Sequence, residues 1–179
     1  MMKAGFIYSI LVSVLLFSCG PKETEENNQK YIDANELKKQ LEAVQKPSMV
    51  MENDIIESYI KQHQLQMQTT GSGLRYAIIK ENPKGKQLVT MDEITVKYKV
   101  SLLDGTLCYT SEKTGPKKIK IDMDNVESGL HQGLKLMKNG EKAIFILPSH
   151  LAHGLTGDNN LIPPKASVFY EIEVLSKNN

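Results

Sequence analysis

Tryptophan is absent from this chain, cysteine occurs twice, and charge of neither sign prevails. A formal charge of +1 gives no electrostatic case for binding nucleic acid or an anionic membrane surface. Removing residues 1–18 takes away one Lys and no acid, so the remainder carries +1 − 1 = 0. There is no internal repeat, phosphate-cradling glycine loop, dinucleotide fingerprint or serine nucleophile elbow, and so no motif for nucleotide or serine-hydrolase chemistry. His150 and His153 stand three apart in a loop with no acid or thiol in company, so no metal and no cofactor are expected.

Long hydrophobic runs are also missing, with one short exception at residues 6–17. Lys3 precedes it and Leu16-Phe17-Ser18-Cys19-Gly20 follows, which is the charged start, apolar middle and small-residue exit of a secretory signal over residues 1–18. A dozen apolar residues is too short to span a bilayer comfortably. The L-F-S-C ending resembles a bacterial lipobox, which implies that Cys19 is lipidated and tethers the mature chain to a membrane. Cys108 would then be the one thiol left, and no intramolecular disulfide could form.

Residues 19–30 are polar and acidic and cannot bury enough surface to order themselves. They read as a tether, with a sorting signal as the alternative. Residues 31–70 read as a helical segment. Asp33 and Glu36 have the spacing of a helix start, Leu37, Leu41 and Val44 share a stripe, and Pro47 is expected to end the helix. A second helix is expected from Asn53, with Ile55, Ile56, Tyr59 and Ile60 on one face. These stripes need cover from the domain, from a second copy in a homodimer, or from a partner.

From residue 71 to 179 the pattern changes to strands. Gly71-Ser72-Gly73 reads as a hinge and residues 74–79 as a first strand. Ile94, Val96, Tyr98, Val100 and Leu102 alternate with polar residues, and Asp104-Gly105 supplies a hairpin turn into a return over residues 107–111. Ile119, Ile121 and Met123 alternate with Lys118, Lys120 and Asp122 as another strand. Val168, Tyr170, Ile172 and Val174 alternate with Glu171 and Glu173 as the last.

Residues 126–164 organise the rest. Leu130, Leu134 and Met137 lie at helical spacing over residues 128–137, with Gly129 and Gly133 placed where a neighbour can approach closely. Asn139-Gly140 is expected to stop that helix, and residues 143–147 form an apolar run of strand length. After Pro148 comes a loop rich in breakers: Gly154, Gly157, Asp158, Asn159 and Pro163-Pro164.

Gly129, Gly133 and Met137, then Asn139-Gly140-Glu141, then Pro148, Leu151, Ala152, Gly154, Gly157 and Ile162-Pro163-Pro164 resemble the FK506-binding class of peptidyl-prolyl isomerases. Val96-x-Tyr98 and Leu103-Asp104-Gly105-Thr106 extend the resemblance over residues 72–177. The stretches L-K-L-M-K-N-G-E and G-D-N-N-L-I look most similar to the lipoprotein branch associated with gliding motility. The expected class is α+β: an FKBP-like antiparallel β-sheet of about five strands wrapped on one short helix, preceded by one or two N-terminal helices.

The resemblance implies catalytic positions at Tyr98, Tyr170 and His153, and substrate contacts at Val126, Glu127, Leu130, Ile162, Tyr109 and Cys108. Leu130 stands where better-known members have a tryptophan floor. Glu127 falls where the family uses a backbone N–H, so little is expected of its side chain. Cys108 replaces a wall phenylalanine, Tyr109 an aspartate, Lys117 a rim phenylalanine, and His153 a tyrosine whose hydroxyl donates to substrate. An imidazole N–H can donate as well. Tyr98 and Tyr170 fit a pocket mouth or ordinary core. Tyr109 and His153 fit pocket or loop packing, and Cys108 fits a small buried hydrophobe better than a reactive thiol.

Two functions are implied by the resemblance. One is an isomerase that assists folding of exported, proline-containing polypeptides from a lipid anchor in the cell envelope, at the outer membrane and facing periplasm or surface. The other is an FKBP-like binding module or chaperone of an envelope assembly with little turnover.

Overall fold

The structure is a computed structural model and describes residues 33–178; the expected signal segment, Cys19 and the polar tether lie outside the described residues. Helix α1, Ala34–Gln62, starts where Asp33 caps it, its carboxylate accepting from the Asn35 N–H at 3.3 Å. It runs unbroken through Pro47, so the expected stop there and the second start at Asn53 are both corrected. An internal proline removes one ladder hydrogen bond and costs about 3 kcal/mol. Beyond Pro47 the helix is held to the domain by contacts that local pattern does not show.

Those contacts are mostly polar. Arg75, 5% exposed, donates to Glu57 at 2.8 Å and also to Asn53, while Glu52 reaches Ser149 and Ser167. Ile56 is fully buried and Tyr59 meets the Phe169 ring at 5.8 Å. Ile55 is 58% exposed, so it does not share the buried face expected for it. The side chains of Leu41 and Val44 lie outside the described residues.

A seven-stranded antiparallel sheet comes next, built from β1 (Gln68–Thr69), β2 (Arg75–Lys80), β3 (Glu93–Leu102), β4 (Leu107–Thr110), β5 (Lys117–Lys120), β6 (Lys142–Leu147) and β7 (Val168–Asn178). The order is β1-β2-β6-β7-β3-β4, and β5 also pairs with β3. Gly71-Ser72-Gly73 is the loop of a β1–β2 hairpin and not a hinge, closed by Thr70 N–H to Leu74 O at 2.9 Å. Strand β1 is only two residues long, too short for periodicity to register.

The alternation read from sequence in β3 and β7 is the alternation observed. Val100 pairs with Tyr170 and Tyr98 with Ile172 on the core face. Lys99 reaches Glu171 at 3.2 Å on the wet face. One edge of β3 is shared, with β5 on its first half and β4 on its second. Between them sits α2, Ser111–Thr114, and Ser111 Oγ accepts the Tyr98 N–H at 3.0 Å where neither strand supplies a partner.

Strand β5 ends at Lys120, not Met123. The Ile121 N–H bonds Asp92 O, Asp122 turns with φ 62°, and Met123 is left 59% exposed. Helix α3, Ser128–Leu134, is also shorter than expected. Its last turn tightens through Leu136 N–H to Gly133 O and Met137 N–H to Leu134 O, which still buries Met137 completely.

Helix α3 lies so close to β6 that side chains at its two glycines would collide with it. A Cβ on Gly129 would stand 2.7 Å from Leu147, and one on Gly133 2.6 Å from Phe145. Phe145, Leu134, Met137, Ile94, Val96 and Ile119 form the centre of the resulting core. Ile144 and Ile146 are buried on the opposite face, the one where Tyr59 covers Phe169.

Candidate functional site

Where α3 begins, between β3, β7 and the loop after β6, the chain encloses an open cavity of about 710 Å³. Helix α3 and its approach contribute Val126, Glu127 and Leu130, and the strands contribute Tyr98 and Tyr170. Tyr109 of β4 and Lys117 of β5 line it on one side, and Ala152, His153, Asp158 and Asn160 of the loop on the other. Lys117 is exposed, and neither it nor Tyr109 fills the space.

Glu127 is the centre of the polar contacts. The Tyr170 hydroxyl donates to its Oε1 at 2.6 Å. His153 Nε2 stands 2.9 Å from the same oxygen, an ion-pair distance without the alignment of a hydrogen bond. The small role expected for the Glu127 side chain is therefore corrected. Because it precedes α3 immediately, its side chain turns into the cavity while its carbonyl accepts the first helical N–H groups, from Leu130 at 2.9 Å and His131 at 3.2 Å.

Burial, and then the Glu127 charge, push the Tyr170 hydroxyl well above its ordinary range, so it remains a donor. A neutral His153 whose Nε2 proton faces Glu127 keeps only an acceptor at Nδ1, whereas the imidazolium donates from both nitrogens. His150 turns away, its Nε2 lying 3.0 Å from Ser72 O, so the two histidines diverge. Among the described residues no group of three metal-ligating side chains is present.

Sequence reasoning did not single out Asp158 or Asn160. Asp158 Oδ1 accepts the N–H of Asn160 at 2.9 Å and of Ile162 at 2.8 Å. Its Oδ2 accepts from the Tyr109 hydroxyl, to which Asn160 Nδ2 donates at 3.2 Å. Burial works against ionisation of Asp158, but the Tyr109 hydroxyl, the two backbone N–H groups and His153 outweigh it, and its pKa lies below the ordinary 3.8. The hydrogen bond to Asp158, and then burial, raise that of Tyr109. An Asp two residues before a backbone N–H in a breaker-rich loop is an Asx-turn pattern, the one sequence signal that marked it.

Two expected contacts are not part of the cavity lining. Ile162 is 2% exposed and packs in the core beneath the loop, where its backbone is tied to Asp158. Cys108 is 8% exposed, with Sγ 3.8 Å from Leu161 O, and burial, followed by the Asp158 charge, raises its pKa. It is the small buried hydrophobe of the two readings.

Sheet, covering helix and cavity together define an FK506-binding type of fold. AtFKBP13 aligns with a TM-score of 0.59 and 26% identity over 63% of this chain and 99% of its own. FkpA from Escherichia coli aligns with a TM-score of 0.61 and 26% identity over 83% of this chain and 74% of its own. The family model described as FKBP-type peptidyl-prolyl cis-trans isomerase matches residues 84–175, more than half of the chain, and the chain belongs to that family. A probable FKBP-type peptidyl-prolyl cis-trans isomerase FkpA of Neisseria meningitidis is 30% identical over 158 residues, covering 86% of this chain and 57% of its own. FkpA of Escherichia coli K12 is 31% identical over 109 residues, covering 61% and 39%. The chain spans about half the length of the curated relatives it matches.

Proposed function

We propose that this chain catalyses cis/trans exchange at X-Pro bonds of exported polypeptides. The observation that carries this reading is the open cavity bounded by Tyr98, Val126, Leu130 and Tyr170 in a chain of this family. The planar X-Pro amide is held by resonance behind a barrier of about 18–20 kcal/mol. Twisting the bond removes the charge separation between oxygen and nitrogen, so a wall that replaces water favours the twisted form over the planar one. Val126, Leu130 and the Tyr98 and Tyr170 rings supply that wall, and His153 lines the cavity beside Glu127. No nucleophile, metal or cofactor takes part.

A second reading is favoured by one specific feature. The carboxylates of Glu127 and Asp158 keep the cavity more polar than desolvation alone would want, which suits a binding module with little turnover. Titrating the chain with a proline-bearing peptide under NMR separates the two. Shifted resonances at Tyr98, Leu130 and Tyr170 together with accelerated exchange support the enzyme; the same shifts without acceleration support the module.

Outside the cavity the reading rests on sequence and surface. The lipobox-like L-F-S-C supports a lipid anchor on Cys19, hence an envelope location at the outer membrane, and two stretches support the gliding-motility branch. Among the described residues no helix is long and apolar enough to cross a membrane. Met49, Val50, Met51 and Ile55 are exposed along α1, which supports a homodimer formed through that helix.

A further inference from the structure

We propose that Glu52, on the N-terminal helix, is a positioning residue for the cavity, acting as a clamp on both feet of the 149–167 loop. The proposal rests on the isomerase reading of that cavity. It starts from a missing cap. Pro148 precedes a single 3-10 turn, Ser149–Leu151, and has no side-chain group to accept the first N–H of that turn. Glu52 supplies it from α1, 97 residues away: its Oε1 accepts the Ser149 N–H at 2.6 Å and its Oε2 the Ser149 hydroxyl at 3.1 Å.

The same Oε1 accepts the Ser167 hydroxyl at 2.7 Å, and Ser167 is 9% exposed. Ser149 opens the loop and Ser167 closes it. From the first foot the chain passes directly to Ala152 and His153 in the cavity; from the second it passes to Val168 and, two residues on, Tyr170. Ala152 and Gly154 bond back to the first foot, Gly154 N–H to Ser149 O at 2.7 Å and Ala152 N–H to Pro148 O at 3.1 Å. A shift of Ser149 is therefore passed to His153 through a tightly bonded turn. The middle of the loop is fixed separately by Asp158 on Tyr109, so release of Glu52 loosens the two feet and leaves that middle held.

The coupling makes the N-terminal helix part of the catalytic unit. Displacement of α1 relative to the sheet releases one carboxylate and frees both feet at once. Near-attack geometry is sensitive on this scale, since a shift of about 1 Å can cost up to about a hundredfold in rate.

The test uses the whole chain with four variants: Glu52→Ala, Glu52→Gln, Ser167→Ala and the double variant Glu52→Ala/Ser167→Ala. Amide hydrogen exchange reads the clamp without reference to activity, and X-Pro exchange kinetics read its consequence. Glu52→Ala should speed amide exchange at Ala152 and Gly154 about tenfold while leaving β6 and β7 protected, and should lower kcat about tenfold with a smaller change in KM. Glu52→Gln, whose amide can satisfy the same partners, should recover most of both losses. Ser167→Ala should give a smaller loss that is not additive with Glu52→Ala. Unchanged exchange at Ala152 and Gly154 in Glu52→Ala overturns the clamp, and so does a Glu52→Gln variant as impaired as Glu52→Ala. Faster loop exchange in Glu52→Ala, beside a wild-type chain that shows no isomerisation to lose, would leave the clamp standing as a mechanical link, but would overturn its role in catalysis along with the isomerase reading.

Discussion

The Tyr170 hydroxyl donates to Glu127 Oε1 at 2.6 Å, joining a strand residue to the residue that opens α3 across the cavity. Both are largely shielded from water: Tyr170 is 4% exposed and the Glu127 side chain 12%. Hydrogen bonds to a charged acceptor contribute roughly 1.5–3 kcal/mol, and leaving a buried partner unsatisfied costs at least as much. Tyr170→Phe should lower unfolding free energy by about 2 kcal/mol in urea titration while keeping the ring in the cavity. Tyr170→Ala should cost more, about 3–5 kcal/mol, because it also empties a large volume.

Acid should loosen the loop through Asp158. Its pKa is below the ordinary 3.8, so the sign is set by linkage: the contribution is fully present above 3.8 and is lost as pH falls through the lower, folded value. Urea midpoints measured from neutral to strongly acid pH should fall in that window, and the fall should be shallower in Asp158→Asn, which keeps an acceptor oxygen but no titration.

Close approach of α3 to β6 should make Gly133 intolerant of even one methyl. The added Cβ would stand 2.6 Å from the Phe145 ring, which is fully buried and cannot move aside. Gly133→Ala should therefore destabilise by about 1–3 kcal/mol, despite alanine's better helix propensity, as read by thermal unfolding.

Lipidation is tested directly. Cells fed an alkyne fatty acid should label the wild-type chain and not Cys19→Ser, and the variant should leave the membrane fraction. Equal labelling of both would remove the anchor.

Much of the domain could be read in the sequence because its cause was local. The alternation of Val168, Tyr170, Ile172 and Val174 with acids, the turn at Asp104-Gly105, and the two α3 glycines each encode their own geometry. What escaped was encoded at a distance. The passage of α1 through Pro47 depends on a helix held by Arg75 and Ser149, far along the chain. Burial of Ile162, which resemblance placed at the rim, depends on Asp158 folding the loop over it. Glu127 escaped because the matching family position uses its backbone, so its new partners at Tyr170 and His153 had no precedent to point to them. The candidate site was thus legible as a place, and less so as a set of contacts.

The central claim is turnover at the cavity, and NMR exchange spectroscopy on a set of X-Pro peptides tests it most directly. The wild-type chain should accelerate cis/trans exchange well beyond the uncatalysed tens to hundreds of seconds. Tyr98→Ala, which removes a lining ring less buried than Tyr170, should lose most of that acceleration while remaining folded. No acceleration by the folded wild-type chain on any peptide, or acceleration untouched by Tyr98→Ala, would contradict turnover at this cavity.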